Sequence, residues 1–238
     1  MPNKSTIEIK IRDLKKTYVM GELEATVLHG LDLEIYNGEI TVILGASGSG
    51  KTTLLNIIGG IDQPTEGSVK FKDRNLAILN DKELTLYRRN NIGFVFQFYN
   101  LIPTLTALEN IEVAAEISQK PMSPSDALKL VDLYDKKDYF PSQLSGGQQQ
   151  KVSIARALVK NPTLMLCDEP TGALDFKTGQ LILKTLADLN QKLNKTIIII
   201  THSTAVAKLA HRIIHLGSGK VDQIEINKNR LKPEEINW

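Results

Sequence analysis

Residues 45–52 read GASGSGKT, with a short apolar run at 39–44 before them and a helical period at 53–61 after them. Few backbones accommodate this arrangement. The glycines let the chain curl so that successive N–H groups converge, and the helix start behind them adds the positive end of its dipole. Leu54, Leu55, Ile57, Ile58 and Ile61 carry the helical period, which Gly59 and Gly60 weaken near its end. The string fits G-x-x-x-x-G-K-[ST], and strand, loop and helix follow one another as a phosphate cradle requires. In such a cradle Gly45, Ala46, Ser47, Gly48, Ser49, Gly50 and Thr53 surround the phosphates, Lys51 reaches the β- and γ-phosphates, and the Thr52 hydroxyl coordinates Mg²⁺.

The flanking segments set the fold class. Ile7, Ile9 and Ile11 alternate with charged residues and 27–35 alternates loosely, so the opening stretch reads as β-rich. Between 98 and 158 the pattern changes. Residues 105–117 and 125–133 read as helices, with Pro103, Pro121, Pro124 and Pro141 punctuating the loops, and the whole reads as a helical insertion. Buried strands at 164–167 and 197–200 then alternate with helices at 178–193 and 204–210. This alternation predicts a largely parallel sheet covered on both faces. From Lys228 onward the chain is charged and is expected to be solvated.

Two further strings carry chemistry. The strand at 164–167 ends in Asp168-Glu169, so carboxylates arrive at the edge where ligands of open α/β sheets bind. Asp168 is the candidate holder of Mg²⁺, and Glu169 is the candidate general base for a water attacking a γ-phosphate. Residues 144–148 read LSGGQ, a second glycine loop, with Ser145 placed to cap a helix through Val152, Ile154, Ala155 and Leu158. A single nucleotide site has no use for two such loops.

Composition excludes several classes. The chain has 238 residues, 42% hydrophobic and 24% charged, and a net charge of +2. That is ordinary for a globular protein and too near neutral to imply a nucleic-acid partner. A single cysteine, Cys167, has no internal disulfide partner and fits a reducing compartment. No secretory leader is visible, and the longest aliphatic runs, 42–44, 163–167 and 197–200, fall far short of the roughly 18 residues of a membrane span. The expectation is a cytosolic chain that reaches a membrane only through a partner.

GASGSGKT, Gln97, LSGGQ, LMLCDE, the ALD at 173–175 and Thr201-His202 occur in this order. The set, spanning about 7–221, resembles the ATP-binding cassette of ABC transporters. That resemblance implies a P-loop NTPase (RecA-like) α/β core with an N-terminal antiparallel β subdomain and the helical subdomain of about 98–158 inserted, all within 1–227, followed by a charged C-terminal tail at 228–238. It implies an ATPase using ATP and Mg²⁺. It also implies a head-to-tail homodimer in which Ser145, Gly146, Gly147 and Gln148 touch the nucleotide held by the partner copy's phosphate loop. Tyr18 falls where the family stacks a ring on adenine. Gln97 would sense Mg²⁺ and the attacking water, Asp175 would lie at the dimer seam, and His202 would contact the γ-phosphate and orient Glu169, so that Glu169, His202, Gln97 and Lys51 form the catalytic set. His29, His211 and His215 have no such placement, and His211 stands where the family usually has an acid.

The resemblance extends to a subfamily. Residues 21–26, FQFYNLIPTLTALENI and DEPTGALD are similar to the macrolide-exporter, lipoprotein-release and cell-division group, with bacterial antimicrobial-peptide exporters nearby. The apolar, aromatic stretch 97–103 lies where the family receives a cytoplasmic helix of an integral membrane permease subunit. Export of peptide, drug or lipoprotein, or mechanotransmission, follows from this resemblance, with the chain at the cytoplasmic face of the cell membrane. The alternative is a soluble ABC ATPase of DNA repair or translation; the coiled coils, zinc module or second cassette usual there are not seen in this sequence.

Overall fold

The structure is a computed structural model that describes residues 6–237. It opens with a long antiparallel hairpin, β1 (Ile7–Met20) and β2 (Leu23–Tyr36). The alternation at Ile7, Ile9 and Ile11 marks only the first part of β1. Beyond it the pairing register shifts between Ile11 and Leu14 and between Lys16 and Thr17, and Asp13 is left-handed at φ 44°. These irregularities break the period of two and hide the rest of the strand from a sequence pattern. β3 (Ile40–Leu44) runs into the phosphate loop and α1 (Lys51–Ile58) leaves it. α1 ends at Gly59, after which Gly60 turns left-handed at φ 68°, and Gly59 passes flat against Phe94, where a Cβ would lie 2.2 Å from the ring. β4 (Glu66–Phe71) and β5 (Arg74–Asn75) complete a four-stranded antiparallel sheet in the order β2-β1-β4-β5.

A short helix, α2 (Asp81–Asn91), is closed by a capping box between Asn80 and Glu83 and leads into β6 (Ile92–Val95). The inserted helices follow: α3 (Ala107–Glu116), α4 (Pro124–Leu130) and α5 (Gly146–Leu158). The chain then alternates through β7 (Leu164–Asp168), α6 (Phe176–Leu193), β8 (Thr196–Thr201) and α7 (Thr204–Ala207). It finishes with the hairpin β9 (Arg212–Gly217) and β10 (Lys220–Ile226). The second sheet has the order β10-β9-β3-β8-β7-β6. All its pairs are parallel except β9 with β10.

The central strands are buried on both faces, which is why they read as unbroken apolar runs. Ile197 and Ile199 of β8 join Met165 and Cys167 of β7 in a core beneath the helices α3–α6. Ile198 and Ile200 join Leu164 and Leu166 in a second core, shared with α1 and the antiparallel sheet. The expected solvated tail needs correction. Within 228–237, Ile236 is buried in the first core, Gln180 Nε2 donates to the Ile236 carbonyl at 2.9 Å, and the Leu231 N–H donates to the Lys208 carbonyl at 3.0 Å. Charge dominates the composition there, but Leu231 and Ile236 supply enough apolar surface to dock the segment on α6.

Replacing Ile236 by Ala should therefore cost about 2 kcal/mol, read as a lower urea midpoint with an unchanged slope. An unchanged midpoint would mean that the segment contributes nothing to the fold.

Candidate active site

Three adjacent parallel strands set the site. Leu44 of β3 pairs with Thr201 of β8, and Ile200 of β8 pairs with Asp168 of β7. The phosphate loop, Thr201-His202 and Asp168-Glu169 therefore leave the sheet side by side. Together they enclose an open cavity of about 880 Å³ lined by Ala46, Ser47, Gly48, Gly50, Lys51, Thr52 and Thr53, with Gln97, Asp168, Glu169 and His202 opposite and Val27 at one side. Gly45 and Ser49 lie behind the loop. Gly45 is pressed against the Leu216 carbonyl, and Ser49 is buried. Gly50 is left-handed at φ 96° and abuts Leu28 and Val27, so a side chain there meets both backbone strain and a clash.

Lys51 is 8% exposed. Its ammonium donates to the Gly45 carbonyl at 2.9 Å and the Ala46 carbonyl at 2.7 Å. The charge thus sits inside the cradle on the loop's own acceptors. Across from it, burial and the neighbouring Glu169 push the Asp168 carboxyl above the ordinary range, while the Lys51 charge and a hydrogen bond from Thr52 act the other way. A half-buried carboxylate beside another carboxylate fits a divalent cation. Among the described residues no cluster of three or more His, Cys, Asp or Glu could hold a metal. Mg²⁺ would take Thr52 and Asp168 from the protein and its other ligands from phosphate and water, the mode it favours.

Glu169 is left-handed, φ 44°, a costly conformation for a residue with a side chain. Its own N–H donates to the Ile200 carbonyl at 3.0 Å, which fixes it to β8. Its carboxylate accepts from the Thr201 hydroxyl at 3.0 Å, the His202 N–H at 3.1 Å and His202 Nδ1 at 2.9 Å. The expected Glu169–His202 pair is thus formed, and buried Thr201 is a third member. Donation from Nδ1 assigns the neutral His202 ring the Nδ1–H tautomer and leaves Nε2 as an acceptor.

Tyr18 stands beside Thr53 at the margin of the cavity, outside its lining. Its hydroxyl donates to Asp62 at 2.8 Å, and Lys16 covers its ring at 4.7 Å. Asp62 carries no motif and was not among the expected site residues.

The second glycine loop lies elsewhere. Ser145 caps α5 in a capping box: its hydroxyl accepts from Gln148 N–H, and the Gln148 carboxamide oxygen accepts from Ser145 N–H at 3.0 Å. Ser145, Gly147 and Gln148 line a separate groove of about 280 Å³ that shares no residue with the first cavity. Gly147 is required by contact, since a Cβ would fall 2.1 Å from Thr178 Cγ2. Thr178 is itself held by Asp175, which caps α6 by accepting from its N–H at 3.1 Å and its hydroxyl at 2.6 Å. These two bonds hold the Asp175 carboxyl below its usual range.

Helix α5 also grips the Gln97 loop. Fully buried Gln150 donates to the Phe96 carbonyl at 3.3 Å. Arg156 donates to the carbonyls of Tyr99 and Asn100, two consecutive left-handed residues at φ 59° and 50°. Neither residue was expected from sequence, because both read as ordinary positions of a polar helix.

A phosphate loop on a parallel sheet, with an acidic strand end across from it, defines a P-loop nucleotide-binding protein. The sequence pattern described as ABC transporter matches residues 28–172. The chain is 47% identical to an uncharacterized ABC transporter ATP-binding protein, MJ0796, of Methanocaldococcus jannaschii, over 91% of this chain and 96% of that one. It is 46% identical to the macrolide export ATP-binding/permease protein MacB of Brucella melitensis, over 90% of this chain and 34% of that one. A putative ABC transporter ATP-binding protein of Mycoplasma pneumoniae is 42% identical. The chain spans about half the length of the Mycoplasma relative and a third of the Brucella one. Among solved structures, the dimeric post-hydrolysis state of the MJ0796 cassette bound to ADP and Pi superposes with a TM-score of 0.84 at 45% identity, covering 92% of this chain and 99% of that one. The chain belongs to the ABC transporter family: it is an ABC ATPase cassette that binds ATP.

Asp168→Asn removes an ionised group whose burial is unfavourable. Because the folded-state pKa is raised, that cost is present above it and vanishes as pH falls through it. In Mg²⁺-free, nucleotide-free buffer at neutral pH the variant should melt higher than the parent, and the gap should close on acidification. Its Mg²⁺-dependent ATP hydrolysis should fall by more than the roughly 10–100-fold that loss of an outer-shell partner costs. A second test concerns Gly147. Gly147→Ala should impair ATP-dependent self-association by displacing Thr178, and adding Thr178→Ser, which removes Cγ2 but keeps the hydroxyl, should restore it. No rescue would place the defect elsewhere.

Proposed function

We propose that two copies of this chain close head to tail over two ATP molecules, and that this closure drives a membrane permease. The observation that carries the dimer is the separation of the two cavities. Lys51, Thr52 and Asp168 face one, and Ser145, Gly147 and Gln148 face the other. Each chain then holds ATP in the first cavity and completes its partner's site with the second. The dimeric state of the similar MJ0796 cassette supports this reading.

In the proposed site the phosphate loop and Lys51 bind the β- and γ-phosphates, with Thr52 and Asp168 on Mg²⁺ and Gln97 near it. Glu169 takes a proton from the attacking water on Oε2, which accepts only from Thr201 and keeps an acceptor site free. His202, with Nδ1–H given to Glu169, can donate from Nε2 to a γ-phosphate oxygen only as the protonated ring. Tyr18 stacks on adenine with the ring face that Lys16 leaves open. Moving the dimer from mostly open to mostly closed needs about 5.5 kcal/mol of differential binding, which charge-assisted bonds from two glycine loops and a lysine can supply.

The permease contact rests on Phe98, 74% exposed, and Ile102, 40% exposed. Both lie on the loop that Gln150, Arg156 and Asn110 hold. No helix among the described residues is long and apolar enough to cross a membrane. A relative named as a joined ATP-binding and permease protein, of which this chain spans a third, supports peripheral attachment at the cytoplasmic face through that permease. Export of a drug, peptide or lipoprotein is the accompanying proposal.

Glu169→Gln should keep ATP binding, abolish most hydrolysis and accumulate a dimer on size exclusion with Mg·ATP. Ser145→Arg, alone or added to it, should keep the chain monomeric while ATP binding by one copy persists. Full turnover by Glu169→Gln would remove that residue from the base role, and ATP-dependent dimers of Ser145→Arg would overturn the shared-site reading.

A further inference from the structure

A second charged cavity lies at the opposite end of β3 from the phosphate loop. It has a volume of about 490 Å³ and is bounded by the C-terminal end of α6, the start of β9 and residues 230–233. Gln191, Asn194, His211, Arg230 and Lys232 face it, and no carboxylate does. The acids beside it are engaged: Glu39 pairs with Arg212 at 3.2 Å, Glu234 pairs with Lys184 at 3.2 Å, and Glu235 accepts from the Lys232 backbone N–H at 2.7 Å.

His211 shows what the cavity lacks. Its N–H donates to the Ile40 carbonyl at 2.8 Å, and its Nδ1 accepts from the Ile40 N–H at 2.9 Å. Burial, and then the Arg230 charge, push its pKa down to about 4, so the ring is neutral at pH 7. A neutral imidazole has one acceptor nitrogen, and the backbone has taken it. Nε2 therefore carries the proton. Yet an Arg230 guanidinium nitrogen, which is always a donor, lies 2.5 Å from Nε2. Two donors face each other with no acceptor between them. The other tautomer only moves the conflict to Ile40, and the protonated ring adds charge repulsion. Arg230 cannot easily swing away, because its Nε donates to the Leu209 carbonyl at 2.9 Å.

We propose that this cavity binds a phosphate-type oxyanion, one oxygen of which accepts from both His211 Nε2–H and Arg230, with Lys232 supplying the second positive charge. The negative end of the α6 dipole opposes an anion here, but it amounts to about half a charge against two full cations. The volume falls within the roughly 300–1,000 Å³ typical of small-molecule sites. It thus has room for a phosphate carried on an organic body, with the carboxamides of Gln191 and Asn194 as partners for that body. Occupancy would tie residues 230–232 to the start of β3 and β9. The inference is independent of the ATP reading, since no residue of the cavity belongs to the nucleotide pocket.

The test uses the full chain saturated with Mg·ADP, so that the phosphate loop is filled. Inorganic phosphate and glycerol 3-phosphate are titrated separately, with chloride at matched ionic strength as control. The imidazole proton resonances of the four histidines are followed, His211 being assigned by its loss in His211→Gln. The expected result is a saturable shift of His211 and an upward move of its titration midpoint, because a bound anion favours the imidazolium. Arg230→Gln and Lys232→Gln should each weaken the response at least tenfold with ADP affinity unchanged. Tighter binding of glycerol 3-phosphate assigns a carried phosphate, and equal binding assigns the free anion. An absent or non-saturable His211 shift overturns the proposal. So does an equal shift with chloride, or one that survives both substitutions.

Discussion

Side-by-side registration of β3, β8 and β7 is the constraint on which the rest of the molecule depends. Each of these strands is apolar on both faces, so a slip of one residue would exchange the side chains presented to the two cores. Ile197 and Ile199 would leave one core as Ile198 and Ile200 left the other. The packing that fixes register for stability also fixes where the loops emerge. Thr201 can reach Glu169 because Ile200 pairs with Asp168. Lys51 and Asp168 share a cavity because one strand, β8, separates the strands that deliver them. Chemistry is therefore inherited from burial.

Helix α5 is the second organising element. Its first turn presents Ser145 and Gly147 away from the chain's own nucleotide cavity, while Gln150 and Arg156 hold the backbone on either side of Gln97 and Phe98. One rigid element thus touches the groove lined by Ser145 and Gly147, the loop that brings Gln97 to the nucleotide cavity and the exposed aromatic Phe98. A displacement of α5 imposed at its first turn is carried to both other places by hydrogen bonds to backbone carbonyls. Those carbonyls belong to a loop whose residues Tyr99 and Asn100 are left-handed, a conformation that persists only where surrounding contacts hold it.

Much of this was legible in the sequence where composition and geometry agree. The phosphate loop, β7, β8 and α6 carry local patterns that tertiary packing reinforces. Most of the expected site residues line one cavity, and Glu169 accepts from His202. Other parts were hidden for identifiable reasons. The second half of β1 bulges, so its period fails. α2 buries only Leu84 and Tyr87, too few for a helical stripe, although Asn80 and Glu83 spelled its capping box. β10 is an edge strand exposed along most of its length and shows no alternation. The docked end around Ile236 was obscured by the charge of its neighbours. Asp62, Gln150 and Arg156 act through contacts between segments distant in sequence, which no local string encodes.

The posture of Lys51 bears on the exchange of nucleotide. A nearly buried ammonium left without acceptors would resist the departure of any anion covering it, since the desolvated charge would be stranded. Here the Gly45 and Ala46 carbonyls accept from it. The cradle thus carries its own substitute for phosphate, weaker because it is neutral but always at hand. A cation held this way is placed by the loop's own backbone, so a substitution that reshapes the turn at Gly45 or Ala46 also moves the charge.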